Sequence, residues 1–166
     1  MSYPRLLQQR LEEALNDTPV VLIHGPRQCG KTTLARKVGD LRGYTYLSFD
    51  DVNLVAADRA DPIGFVDRLA DKVILDEIQH VPELFSSIKH AVDSKRIAGR
   101  FLLTGSANVL LLPKLSDSLA GRIEIIRLHP LSRCEIESRG NGLLDQLFCG
   151  SFAIGSSEKL GSKLAE

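Results

Sequence analysis

Apolar positions along the chain alternate between two spacings. Leu7, Leu11, Ala14 and Leu15 recur at helical intervals behind Pro4, a residue suited to opening a helix. Pro19-Val-Val-Leu-Ile23 is instead an unbroken apolar run rich in β-branched residues, as in a strand buried on both faces. The alternation then repeats. Leu34, Ala35 and Val38 predict a helix after a Gly-rich turn, Tyr44–Phe49 a second strand, and residues 51–71 one or two short helices interrupted at Asp61-Pro62. Lys72–Asp76 predicts a third strand, Leu84, Phe85, Ile88 and Val92 a helix, and Arg100–Thr104 a fourth strand. Residues 114–120 predict a further helix and Ile123–Leu128 a fifth strand. Apolar strands separated by helices imply a parallel sheet covered on both faces, so the expected class is a three-layer α/β sandwich.

The character changes after Pro130. A helix is expected around Cys134–Ser138, then a turn at Arg139-Gly-Asn-Gly142 and an apolar stretch, Leu143–Phe148. Gly150 to Glu166 carries three Gly and four Ser with no pattern that promises a packed element. Residues 1–148 therefore read as one domain and 149–166 as a flexible tail.

Composition narrows the partners. Lys plus Arg (21) balances Asp plus Glu (21) in 166 residues, so bulk charge does not indicate DNA or an anionic membrane, while a local basic stripe stays open. No apolar run approaches the 18 residues of a membrane span, and the N-terminus lacks an apolar signal-peptide core. Cys29, Cys134 and Cys149 are far apart, odd in number and without metal-ligand spacing. That usage suits a reducing compartment, and the expected location is cytoplasmic.

The chemistry concentrates after the first strand. Gly25-Pro26-Arg27-Gln28-Cys29-Gly30-Lys31-Thr32 fits G-x-x-x-x-G-K-[ST] at every constrained position, followed by Thr33. Glycines let backbone N–H groups converge on phosphate oxygens, Lys31 places a charge at the β- and γ-phosphates, and the Thr32 hydroxyl suits Mg²⁺. The helix that follows directs its positive end at the same anion. Arg27, Gln28 and Cys29 fill the free positions. Cys29, at a helix start, is a candidate redox switch but reads better as filler, and His24 reads as a packed strand-end residue.

Val73-Ile-Leu-Asp76-Glu77 is an apolar strand ending in two carboxylates, 45 residues after Lys31. Beside a phosphate loop, Asp76 is the expected holder of the Mg²⁺ shell and Glu77 the expected general base for an attacking water. Thr104, Ser106 and Asn108 follow the fourth strand, where a hydroxyl or amide could sense a γ-phosphate; spacing does not choose among them. Arg122 precedes the fifth strand. It reads equally as a cation reaching a neighbouring subunit's phosphate or as the partner of a local carboxylate such as Asp117 or Glu124.

Taken together, Gly25–Thr32, Leu75-Asp-Glu-Ile-Gln79, Leu103-Thr-Gly-Ser106, Gly121-Arg122 and Leu128-His-Pro-Leu-Ser132 resemble the AAA-like bacterial and archaeal P-loop ATPases that carry a C-terminal domain of unknown function. The resemblance spans residues 4–148. It implies an α/β/α P-loop NTPase sandwich with strand order 5-1-4-3-2, ATP and Mg²⁺ as ligands, oligomerisation, and Arg122 as an arginine finger. Members of that family continue into a further domain, and Gly150-Ser-Phe152 resembles the start of the connecting segment. The expectation is Mg²⁺-dependent ATP hydrolysis that is slow in this chain alone, since a lid from that domain would be missing.

Two other functions compete. A hydrolysis-poor switch module would report bound ATP to a partner, and a small-molecule kinase would use the same loop. The adjacent Asp76-Glu77 pair favours water over an acceptor molecule, and no Arg-rich lid segment is evident. GTP is disfavoured: no Asn is followed by Lys, as a guanine-reading Asn-Lys-x-Asp needs, and Asp61-Pro-Ile-Gly64 lacks the preceding apolar strand of a GTPase D-x-x-G.

Overall fold

The computed structural model describes residues 3–53, 55, 60–111, 115 and 119–136. Five parallel strands, β1 (Val20–Gly25), β2 (Thr45–Ser48), β3 (Val73–Asp76), β4 (Phe101–Ser106) and β5 (Ile123–Arg127), form one sheet in the order β2-β3-β4-β1-β5. Read from the other edge, this is the expected 5-1-4-3-2. The central strands β1 and β3 are buried throughout and β4 is buried up to Ser106, as unbroken apolar runs require; the edges β2 and β5 are half-exposed.

Alternation along the strands divides the core in two. Val21, Ile23, Ile74, Leu102 and Ile126 face α1 (Leu7–Asp17) and α2 (Lys31–Arg42), meeting Leu11, Leu15, Leu34 and Val38. Val20, Leu22, Val73, Leu75, Phe101 and Leu103 face the other way. They meet Phe65 and Val66 of α3 (Pro62–Asp67) and Leu84, Phe85 and Ile88 of α4 (Leu84–Ser94). The result is the expected three-layer sandwich. Gly39 of α2 is where helix and sheet come closest: a Cβ there would lie 2.5 Å from Ile74 Cδ1.

Several boundaries move for physical reasons. The first helix begins at Leu7 rather than Pro4, because Arg5 is drawn off to the carbonyls of Cys29 (2.7 Å) and His129 (2.5 Å) and to Glu135 (3.0 Å). The fourth strand continues to Ser106, since Gly105 and Ser106 pair with His24 and Gly25 of β1. Residues Ala107–Leu111 beyond it form a 3-10 helix. Asp61-Pro-Ile-Gly64 proves to be a helix start: Asp61 Oδ1 accepts from Gly64 N (2.9 Å) and Pro62 occupies the first turn. A short helix, α5 (Arg133–Ile136), stands where one was expected. Ser132 and Glu135 cap it reciprocally, Ser132 N donating to Glu135 Oε2 (2.8 Å) and Glu135 N to Ser132 Oγ (3.3 Å). Most of the expected 114–120 helix, the turn at 139–142, Leu143–Phe148 and the tail lie outside the described residues.

Candidate phosphate-binding site

The loop connects the end of β1 to the start of α2, at the carboxyl edge of the sheet where open α/β folds place ligands. Gly25 is required there because a Cβ would lie 2.1 Å from Leu128 O. Gly30 has φ +92°, and no side chain caps α2 behind it. The first N–H groups of a 12-residue helix are thus left for an external acceptor. Lys31 is buried and its Nζ donates to the carbonyls of Pro26 (2.9 Å) and Gly25 (3.3 Å), both in the loop.

Across from the loop, Asp76 ends β3 with 4% of its surface exposed. Its carboxylate accepts from Thr32 Oγ1, 3.0 Å from each oxygen, from Tyr46 OH (2.8 Å) and from Thr104 Oγ1. Burial, reinforced by this bond and by the charge of Asp76, pushes the Tyr46 hydroxyl pKa above its ordinary value. Tyr46 is held in turn by the Arg36 guanidinium, 4.7 Å from its ring centre. Glu77 comes next, in the left-handed region at φ +57°. Its N–H donates to Thr104 Oγ1 (3.2 Å) and its carboxylate accepts from Gln79 Nε2. Among the described residues, the only non-glycines at positive φ are Glu77 and Gln28, and both belong to this site.

A cavity of about 470 Å³ lies between these parts, lined by Arg27, Gln28, Gly30, Lys31, Thr32, Thr33, Asp50, Glu77 and His80. The structure therefore brings Lys31, Thr32 and Glu77 together around one space, with Asp76 bonded to Thr32 at its edge. Asp50 and His80 were not anticipated; His80 Nδ1 lies 3.2 Å from Phe49 O and 3.6 Å from Asp50. A second cavity of about 290 Å³ adjoins the outer side of the loop, between Tyr3, Arg5, Lys37, Pro130 and Leu131.

The three sensor candidates separate. Thr104 is fully buried beneath Asp76 and Glu77, Ser106 is half-buried with its N–H on Gln79 Oε1 (3.2 Å), and Asn108 is exposed. Cys29 is buried in the core with its thiol on Leu128 O, the packing role expected of it. His24 is also buried, as expected. Burial, then the charges of Arg127, His129 and Lys31, hold its pKa below the ordinary value.

Arg122 stands apart. Its backbone carbonyl accepts from Val20 N (3.3 Å), so it sits at the opposite end of β1, roughly 16 Å of strand from Gly25. Its guanidinium grips Asp93 through Nε (2.6 Å) and Nη2 (3.1 Å). That hydrogen bonding holds the Asp93 carboxyl below its ordinary pKa. Of the carboxylates anticipated for it, Glu124 pairs with Arg10 instead (3.3 Å) and Asp117 is outside the described residues.

A sequence model described as an AAA domain, AAA_14, matches residues 17–137. Two curated relatives, the uncharacterized proteins Mb2031c of Mycobacterium bovis and Rv2008c of Mycobacterium tuberculosis, are each 41% identical over 140 residues. Those matches cover 84% of this chain and 31% of each relative, so the chain spans about a third of their length. Among solved structures, the Walker-type ATPase PABY2304 of Pyrococcus abyssi superposes with a TM-score of 0.56 at 18% identity, over 92% of this chain and 60% of that one. That likeness supports the same fold. With the matched span running from the end of α1 to the end of α5, through both the phosphate loop and the carboxylate strand, the chain belongs to the AAA_14 family of AAA domains.

Proposed function

We propose that the chain binds ATP with Mg²⁺ and hydrolyses it by attack of water. The observation that carries this reading is the bond between Thr32 and Asp76, which joins the phosphate loop to the carboxylate strand around a cavity that Glu77 also lines. The uncapped start of α2 and the Lys31 ammonium bind the phosphates. Thr32 and Asp76 suit a hard divalent cation: one hydroxyl and one carboxylate, oxygen donors already in contact. Bound there, Mg²⁺ would neutralise charge that develops on the phosphates. Glu77 accepts the proton of the attacking water, and Thr104 orients it by anchoring its backbone N–H. The cavity beside Tyr3 and Pro130 has the volume and place to take the nucleoside.

Arg122 cannot reach its own loop from the far end of the sheet, so as a finger it would act on a second molecule. This favours a second reading in which the isolated chain holds ATP and reports it, because Arg122 is held at home by Asp93. Phosphate release against protein concentration separates the two. If Arg122 acts as a finger, the rate per chain rises with concentration, and Arg122→Ala flattens that rise without weakening ATP binding. Fingers contribute about 10³–10⁵ in rate, so the unassembled chain should turn over very slowly. Fast turnover that is independent of concentration and unchanged in Arg122→Ala would remove Arg122 from the mechanism.

A further inference from the structure

The 3-10 turn Ile78–His80 follows Glu77 directly and carries Gln79 back toward it. Gln79 Nε2 donates to Glu77 Oε2, and Gln79 Oε1 accepts from the Ser106 N–H at the end of β4 (3.2 Å). The amide has one orientation here. A carboxylate only accepts and a backbone N–H only donates, so the reversed amide would face an acceptor with its oxygen and a donor with its nitrogen. The turn does not need this side chain to hold its shape. His80 N donates to Glu77 O (3.1 Å), Val81 N to Ile78 O (3.1 Å), and Ile78 is fully buried.

We propose that Gln79 is a positioning residue that fixes the Glu77 carboxylate at the phosphate cavity and ties it to the end of β4. The inference rests on the reading of Glu77 as the water-activating base. A glutamate side chain has three rotatable bonds to immobilise, and the left-handed backbone at Glu77 sets only its point of departure. The Gln79 donor removes that freedom by engaging one carboxylate oxygen, Oε2, and leaves Oε1 for water. Because the same amide holds Ser106 N–H, displacement of the β4 end would be transmitted to the base.

The test uses Gln79→Met and Gln79→Glu, each alone and combined with Glu77→Gln, with phosphate release, ATP binding and unfolding midpoint measured for all. Methionine keeps the volume and loses both bonds. Glutamate keeps the acceptor for Ser106 N–H and sets a second carboxylate against Glu77. Both single variants should lower kcat by about 10²-fold, the size of effect that a small misplacement of a reacting group produces, with KM and ATP binding unchanged. In the Glu77→Gln background neither should lower the residual rate further, since the group being positioned is gone. A kcat retained by both variants, or a loss that adds fully to that of Glu77→Gln, overturns the positioning role alone. A wild-type chain that binds no ATP, or binds it and never releases phosphate, overturns the proposed function and this inference with it.

Discussion

The two ends of the same strands are built differently. At the amino end, most of the polar groups named here spend their bonds on one another, though Arg100 Nε is buried without a partner among the described residues. Tyr44 OH donates to Gly99 O, Gly99 N to Thr18 O (2.9 Å), Arg100 Nη1 to Ala91 O (3.1 Å), and Arg122 closes on Asp93. At the carboxyl end, the groups gather around open space. The start of α2 is uncapped, a lysine rests on loop carbonyls, three hydroxyls converge on one buried aspartate, and the glutamate beside it occupies a strained backbone region. The same sheet thus closes its polar groups on one another at one edge and leaves open space at the other, the arrangement that the proposed phosphate and cation binding needs.

Substitutions at the open end should act on ligands before they act on folding. The largest effect is expected from Lys31→Ala. The ammonium it removes faces the loop and not either hydrophobic core, so ATP should cease to raise the unfolding midpoint while the ligand-free midpoint stays near that of wild type. An ATP-dependent rise as large as in wild type would break the distinction between the ends. Asp76→Ala should follow. It leaves the hydroxyls of Thr32, Tyr46 and Thr104 without their shared acceptor, at a cost of about 1–3 kcal/mol in unfolding free energy. ATP binding should then no longer respond to Mg²⁺, which titration with and without a chelator would read.

The smallest effect concerns a self-satisfied knot placed at the open end. Glu135 is buried, accepts from Arg5, Leu6 N and Ser132, and links the N-terminal segment to α5, while Arg5 reaches the loop carbonyl of Cys29. Burial opposes its ionisation, but hydrogen bonds from Ser132 and Leu6 and the charge of Arg5 outweigh that and hold its pKa below the ordinary 4.5. A depressed carboxyl pKa contributes stability above the unfolded value, and this is lost as pH falls through the folded one. Glu135→Gln should therefore be less stable than wild type at neutral pH, by about 1 kcal/mol, since the amide still accepts hydrogen bonds and loses only the charge. The gap in denaturation midpoint should close as the pH is taken below about 4.5. A gap that persists unchanged at low pH would show that shape, not charge, matters there.

What could be read in advance follows the range of the interactions. The phosphate loop was legible because it is written in one short run of residues with fixed spacing, and the Asp76-Glu77 pair because it ends an apolar strand in a chain that has such a loop; the strand order came only with the family resemblance. Partners that packing alone brings together were not. Asp93 meets Arg122 from a helix 29 positions earlier, and Glu135 meets Arg5 across 130. Asp50 and His80 enter the cavity from a strand end and a turn that no pattern ties to the loop. Local signals do mark two of the helix starts: Ser132-x-x-Glu135 has the form of a capping box, and Asp61 with Pro62 has the form of a helix start. Gln79 lies within Leu75-Asp-Glu-Ile-Gln79, but its bond to Ser106 depends on how β4 ends, and β4 runs two residues past Thr104, where its strand pattern stops.

The division of labour between Lys31 and Glu77 can be tested in one preparation. Glu77→Gln keeps the side-chain shape and leaves the loop, Thr32 and Asp76 intact, but cannot take a proton from water. Incubated with ATP and Mg²⁺, freed of unbound nucleotide and then denatured, it should yield bound ATP, whereas wild type treated in the same way should yield ADP. Recovery of ADP from Glu77→Gln at the wild-type rate would contradict the assignment of Glu77 as the base that activates water.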